Sequence, residues 1–230
     1  MKILAIDTAL AATSACVFEA GADAPEASET IAMERGHAEA LLPLIDRVMA
    51  RSAGGFPALS RIAVTVGPGS FTGLRIGIAA ARAIGLACHV PVVGVATLAA
   101  LAAPLILEQK PGLVAAAIDA HHGNIYLAAF SQDGRAIVLP RLTTISDAVR
   151  ALEEGSPLRL TGSGAPMLAI EASAAGHVVE LAGEGSAPDI IFVAKLGLLA
   201  DPLTTPARPL YLKAPDAKPR PGNPIVLTPL

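Results

Sequence analysis

An α/β fold is what this sequence predicts, on three observations. Short apolar runs bounded by turn residues recur along the chain. From residue 38 onward, apolar residues at helical spacing alternate with those runs. Both halves then show the same order, strands first and alternating helices after, which is a layered α/β layout and a hint of a duplicated unit.

Taken in order, residues 2–7 are a continuous apolar run suited to a strand buried on both faces. Residues 14–19 and 29–34 are short strands joined by a turn-rich stretch around Gly21 and Pro25. Ala38, Leu41, Leu42, Ile45, Val48 and Met49 make a helical stripe, with Pro43 expected to start the regular helix near Leu42 or bend it. Residues 61–66 are a buried strand, and Ser70 is placed to cap a long helix over 70–88. A strand over 91–95 and a helix over 97–108, broken at Pro104, close the first unit, residues 1–110. The second, 111–201, holds strands at 113–119, 124–131, 136–141 and 159–162 and helices at 146–153, 166–174 and 189–200. Prolines then dominate residues 202–230, expected to be an extended, partly disordered tail.

The chain has 230 residues, 53% hydrophobic and only 16% charged, with 3% aromatic and no Trp. That length buries a real core, but one of small side chains and closely approaching backbones. The net charge of −3 offers no basic surface for gripping nucleic acid, so any RNA is expected to be held by another chain. Cys16 and Cys88 form no CxxC pair. Asp7 interrupts the first apolar run too early for a signal peptide. Residues 83–107 carry no Asp, Glu, Lys or Arg, yet His89, Pro91, Gly94 and Pro104 punctuate them, so a buried helix, strand and helix is preferred to a membrane span. These signals point to the cytosol, a cytoplasmic protein.

The most informative stretch is 67–77, Gly-Pro-Gly-Ser-Phe-Thr-Gly-Leu-Arg-Ile-Gly. It follows a strand and opens a helix, where backbone N–H groups can cradle an anion. It fails the nucleotide fingerprints: a dinucleotide motif from Gly67 meets Thr72, and a P-loop from Gly69 meets Leu74 and Arg75. A tight turn into a closely packed helix is the simpler reading. Along that helix Gly73, Gly77, Ala81 and Gly85 recur every fourth residue, and Leu74, Ile76, Ile78, Ala80 and Ile84 make it apolar nearly all round. Such a helix must be covered on both sides, by its own sheet and by a second cover, expected to be a partner chain.

No metal site is expected: His37, His89, His121, His122 and His177 have no ligand spacing, and adjacent His121 and His122 read as solvated loop residues. No catalytic residue is assigned, since Ser70 and Ser163 lie in Gly-flanked turns without a placed base. Asp7 and Asp119 end equivalent strands of the two halves; they read equally as vestiges of a nucleotide site or as turn acids.

Several segments resemble the TsaB family: residues 3–8, 35–45 (Arg-Gly-His-Ala-Glu-Ala-Leu-Leu-Pro-Leu-Ile), 66–77 and 94–102, then Asp119-Ala120, Tyr126, Gly162-Ser163-Gly164 and 209–213. The resemblance implies an ASKHA fold (actin-like, ribonuclease H-like), with two related lobes of mixed sheet and flanking helices. It implies a non-catalytic subunit in synthesis of N6-threonylcarbamoyladenosine in tRNA, paired with a catalytic paralogue, TsaD, and an ATPase, TsaE. TsaC or a relative would supply threonylcarbamoyl-AMP. No cofactor is expected in this chain; ATP or ADP would belong to the partner subunits. The paralogue's His-x-x-x-His metal motif has no counterpart in residues 94–101. The family's pairing surface implies an interface of His37, Leu41, Leu44, Ile45, Val48, Gly73, Leu74, Ile76, Gly77, Ala80, Ala81 and Ile84, which a homodimer of the isolated chain could also use. Where the family has Asp-Ala-Arg, this chain has Asp119-Ala120-His121. Two alternatives remain: a stand-alone ATPase or small-molecule kinase using Asp7 and Asp119, and, last, a protease.

Overall fold

The computed structural model describes residues 1–152, 157–182 and 185–213. Two five-stranded mixed sheets carry the fold. The first is ordered β3-β2-β1-β4-β5, from β1 (Lys2–Asp7), β2 (Ala12–Glu19), β3 (Ala27–Ala32), β4 (Arg61–Gly67) and β5 (Val92–Ala96). The second is ordered β10-β9-β6-β7-β8, from β6 (Leu113–Asp119), β7 (Asn124–Phe130), β8 (Ala136–Thr144), β9 (Leu158–Thr161) and β10 (Val179–Leu181). Read from the meander edge, the two orders are the same. In each sheet the first strand pairs antiparallel with the second and parallel with the fourth. The duplication invisible at residue level is therefore complete in topology, and the fold is the two-lobed actin-like arrangement.

Helices α1 (His37–Ala50), α2 (Phe71–Cys88) and α3 (Thr97–Leu107) follow β3, β4 and β5; α4 (Ile145–Ala151), α5 (Ala165–Ala174) and α6 (Ile190–Leu199) follow β8, β9 and β10. The last helix of each repeat crosses to the other lobe. α6, expected in the second unit, packs on β1, β2 and β4, where Val193 and Ala194 meet Ile3, Ala5 and Ala63. α3 packs on β6 and β7, with Leu98, Leu101 and Leu105 against Val114, Ala116 and Ala128. Gly197 makes the α6 crossing possible, since a Cβ there would overlap Ala63. One arginine per lobe ties the crossing helix down. Arg61 Nη1 donates to the carbonyls of Gly197, Leu198 and Ala200, and buried Arg159 Nη1 donates to Leu105 O at 2.8 Å and pairs with Glu108. A cation at a helix C-terminus satisfies orphan carbonyls and opposes the dipole.

Several expectations need correction. Pro43 lies inside a continuous α1 on its exposed side, where water can serve the freed carbonyl, and Pro104 lies inside α3 without ending it. β2 begins earlier and β3 lies two residues upstream of the expected span, because the hairpin register pairs Val17 with Ala27 and Ala12 with Ala32. β10 had no sequence signal, being three residues on a sheet edge. Residues 202–213 are not a loose tail. They form a strap along the ends of β4 and β5: Gly94 N–H donates to Thr205 O at 2.9 Å, Leu210 N–H to Val66 O at 2.7 Å and Arg82 to Ala207 O at 2.6 Å. Residues 214–230, the rest of the expected tail, lie outside the described residues.

Candidate functional site

Among the described residues, two features bear on function: the cleft between the lobes and the outer face of α2. The cleft, about 660 Å³, is walled by Ala9 and Leu10 after β1, the 68–71 loop, Ile118 to His121, Tyr126 and the strap from Leu210 to Lys213. Symmetry brings Asp7 and Asp119 to equivalent strand ends, each accepting a hydrogen bond from the N–H two residues on, Ala9 at 3.1 Å and His121 at 2.8 Å. Both are Asx-turn acids. Asp119 is half-buried in the cleft wall, its N–H held by Ser163 Oγ at 3.1 Å and its carboxylate 3.4 Å from His121 Nδ1. His121 and His122 are exposed in the turn at positive φ.

Asp7 does not reach the cleft. It is fully buried; Oδ1 accepts from Thr65 Oγ1 at 2.5 Å, and Oδ2 has no protein partner. Burial pushes its pKa up to about 6, against the opposing pull of the Thr65 and Ala9 hydrogen bonds and nearby His37. Folding therefore favours the protonated acid: stability is greatest below the unfolded value of 3.8 and is lost as pH rises to about 6. Asp7→Asn keeps the Oδ1 acceptor and removes the charge. Between pH 4 and pH 8 its stability relative to wild type should shift in its favour by about 2.5 kcal/mol, as read by urea melts across pH. A pH-independent difference would refute the buried, strained carboxylate.

The anion cradle suggested by residues 67–77 is partly filled by the chain's own backbone. Ser70 N–H donates to Ala9 O at 2.7 Å, and Ser70 Oγ caps α2 by accepting from Gly73 N–H at 3.2 Å, as the sequence predicts. Gly69 lies so close to the Ala9 carbonyl that a Cβ would overlap it. The glycines admit the chain's own backbone where an open loop would hold phosphate. Asp7 therefore does not face the cleft, and the Ser70 and Gly73 N–H groups of this loop are already engaged.

α2 divides into four sides. Its small-residue stripe faces inward: a Cβ at Gly73 would overlap Thr8 O, at Gly77 Thr8 Oγ1 and at Gly85 Val92, and Ala81 is fully buried. Ile76, Ala80 and Ile84 pack half-buried on the flank toward α1. Arg75 and Arg82 reach the strap on the opposite flank, Arg75 stacking 3.8 Å over Phe71 and donating to Tyr211 OH at 3.1 Å. Thr72, Ala79, Ala83 and Leu86, the last 77% exposed, face outward, uncovered. The expected interface is corrected accordingly. His37, Leu41, Leu44, Ile45 and Val48 are buried under α1, with His37 Nε2 3.0 Å from Leu10 O, and Gly73, Leu74, Gly77 and Ala81 are buried under α2. What α1 leaves outside is Ala38, Leu42 and Pro43 together with the charged Glu39, Asp46 and Arg47. The stripe was legible in sequence but not its direction, because glycines suit a sheet as well as a partner helix. α2 is also long and apolar enough to cross a membrane by length and composition, but its inner side is fixed to the sheet. Among the described residues no group of three or more His, Cys, Asp or Glu is placed to hold a metal ion.

Fold and surface define a class: a two-lobed actin-like protein with a cleft bordered by the 68–71 loop and Asp119, and a second helix with an exposed apolar outer face. The family model described as TsaD, tRNA N6-adenosine threonylcarbamoyltransferase, matches residues 29–187. The tRNA threonylcarbamoyladenosine biosynthesis protein TsaB of Escherichia coli is 35% identical over 137 residues, 60% of this chain and 58% of that protein. An uncharacterized protein of Mycobacterium tuberculosis is 34% identical over 94% of both chains. A crystal structure from Pseudomonas aeruginosa, described as similar to peptidase YEAZ, superposes with TM-score 0.77 at 25% identity, covering 92% of this chain and 99% of that one. The chain belongs to the TsaD family and, within it, to the TsaB group. Its match spans little more than half the length of the E. coli relative.

Proposed function

We propose that this chain is a non-catalytic subunit of the machinery that makes N6-threonylcarbamoyladenosine in tRNA, acting in the cytosol by holding a catalytic paralogue. The observation that carries this reading is the outer face of α2, apolar at Ala79, Ala83 and Leu86, on a chain of the TsaB group. A helix pair with small outward residues lets a second helix pair approach closely, and burying that face is what a partner contributes. The partners are a TsaD-like paralogue and a TsaE-like ATPase, which would keep any ATP or ADP; tRNA is met only through the complex.

The reading as a stand-alone ATPase or kinase is disfavoured by the geometry of its two carboxylates: Asp7 is sealed in the core and Asp119 is engaged in a turn. A protease is disfavoured because Ser70 Oγ caps α2 and Ser163 Oγ holds the Asp119 N–H, which leaves neither serine poised beside a base. The test is reconstitution with TsaD-like and TsaE-like proteins, tRNA and threonylcarbamoyl-AMP. Omitting this chain should drop modified adenosine to background; unchanged product would end the proposal, and Mg-ATP turnover by the chain alone would favour the first alternative.

A further inference from the structure

Aromatic residues are scarce in this chain, five Phe and two Tyr with no Trp, yet two of them stand together at the surface. Phe71, at the start of α2, is 43% exposed and Tyr211 of the strap is 45% exposed, with ring centroids 5.2 Å apart. Arg75 completes the cluster. Its guanidinium lies 3.8 Å over the Phe71 ring and its Nε donates to Tyr211 OH, which fixes the fork and leaves both Nη groups without a partner among the described residues. Seven residues on, about 10 Å along the helix, Arg82 donates to Ala207 O, and the strap residue after Ala207 is the exposed Arg208. Among the described residues no carboxylate pairs with Arg75, Arg82 or Arg208, whereas Arg47, Arg51, Arg150 and Arg159 each have one. A chain of net charge −3 therefore carries a local cationic strip edged with exposed rings.

We propose that this strip, Arg75, Arg82 and Arg208 with Phe71 and Tyr211, is a contact surface for single-stranded RNA. The two chemistries of such a strand match the two kinds of side chain. A held arginine fork meets phosphate oxygens two at a time. Exposed rings, and an arginine plane stacked on one of them, offer a surface to unstacked bases. An acidic protein segment would use the arginines and leave the rings in water, so RNA accounts for more of what is displayed. Three cations on an acidic chain are too few to hold RNA unaided. The strip borders the outer face of α2, so an RNA surface can continue from it onto a partner seated there. The inference rests on the functional reading above, which makes tRNA the substrate of the complex, and adds that this chain touches it directly.

The test is a titration of labelled tRNA, across salt with the chain assembled on the catalytic paralogue and ATPase, and at about 50 mM salt with the chain alone. Arg208→Gln alters a side chain that holds nothing among the described residues. It should weaken tRNA binding severalfold and lower the slope of log affinity against log salt by about 0.7, the loss of one phosphate contact on a single strand. Tyr211→Leu should weaken binding about tenfold, while Tyr211→Phe, which keeps the ring, should bind nearly as wild type does. Sizing chromatography should show all three variants assembling normally. Wild-type affinity and slope for Arg208→Gln and Tyr211→Leu, or no tRNA bound by either preparation, would overturn the proposal. So would lost assembly with an unchanged salt slope, which would make the strip a protein contact. If the wild-type chain joins no complex, the functional reading fails; salt-dependent tRNA binding by the chain alone, lost in Arg208→Gln, would still uphold the strip.

Discussion

Gly77→Glu is expected to abolish the folded monomer, not merely its pairing. A Cβ at position 77 overlaps Thr8 Oγ1 and presses on Val64 at 3.4 Å, and a carboxylate beyond it would enter the layer between α2 and β4 with no partner. Thr8 Oγ1 is already committed, donating to Gly73 O at 2.7 Å. Overpacking of a tight core and burial of an unpaired charge together cost about 5 kcal/mol or more, comparable with the whole stability of a typical domain. Circular dichroism melts should show no cooperative transition, or one far below wild type. A variant that melts like wild type would mean that α2 is not seated as described. The sequence alone suggests the opposite experiment, a folded Gly77→Glu protein that fails to pair. The difference follows from which side of α2 the glycines occupy.

Ala83→Glu is the variant that tests pairing. Ala83 is exposed on the outer face, beside Ala79 and Leu86 and away from the α1 flank, so the monomer should fold and melt as wild type does. Within a complex the same carboxylate would be buried against a partner helix. Desolvation without a counter-charge should weaken binding by about 100-fold or more. Calorimetric titration with the catalytic paralogue reads this directly, and modified adenosine in the reconstituted system should fall in proportion. Unaltered affinity would place the partner elsewhere and remove the observation on which the functional reading stands. The pair of variants separates the two sides of one helix: position 77 reports the fold and position 83 the assembly.

Much of the architecture could be read without coordinates. The buried run at residues 2–7, the capped helix opening at Ser70 and the strand–helix alternation follow from local chemistry: period, turn residues and a hydroxyl in reach of Gly73 N–H. Boundaries failed where a partner strand fixed the register, as at β2 and β3, and where prolines sat on faces that tolerate them, as at Pro43. The candidate site was half legible. Asp7 and Asp119 were recognised as equivalent strand ends, but not that one is sealed in the core while the other lines a cleft. The ring cluster of Phe71, Arg75 and Tyr211 was missed altogether, because 136 residues separate Arg75 from Tyr211.

By itself, then, the amino-acid sequence determined the α/β class, the order of elements apart from β10, the family and the presence of a helix apolar around its circumference. Each of these is set by neighbours a few residues apart or by motifs that stay contiguous. Tertiary structure alone decided that α3 and α6 exchange lobes, that the strap closes on β4 and β5, and that the glycine stripe faces inward while Ala79, Ala83 and Leu86 face out. The physical reason is that a residue's periodicity says which others share its side of a helix, whereas only the packing of distant segments says what that side meets.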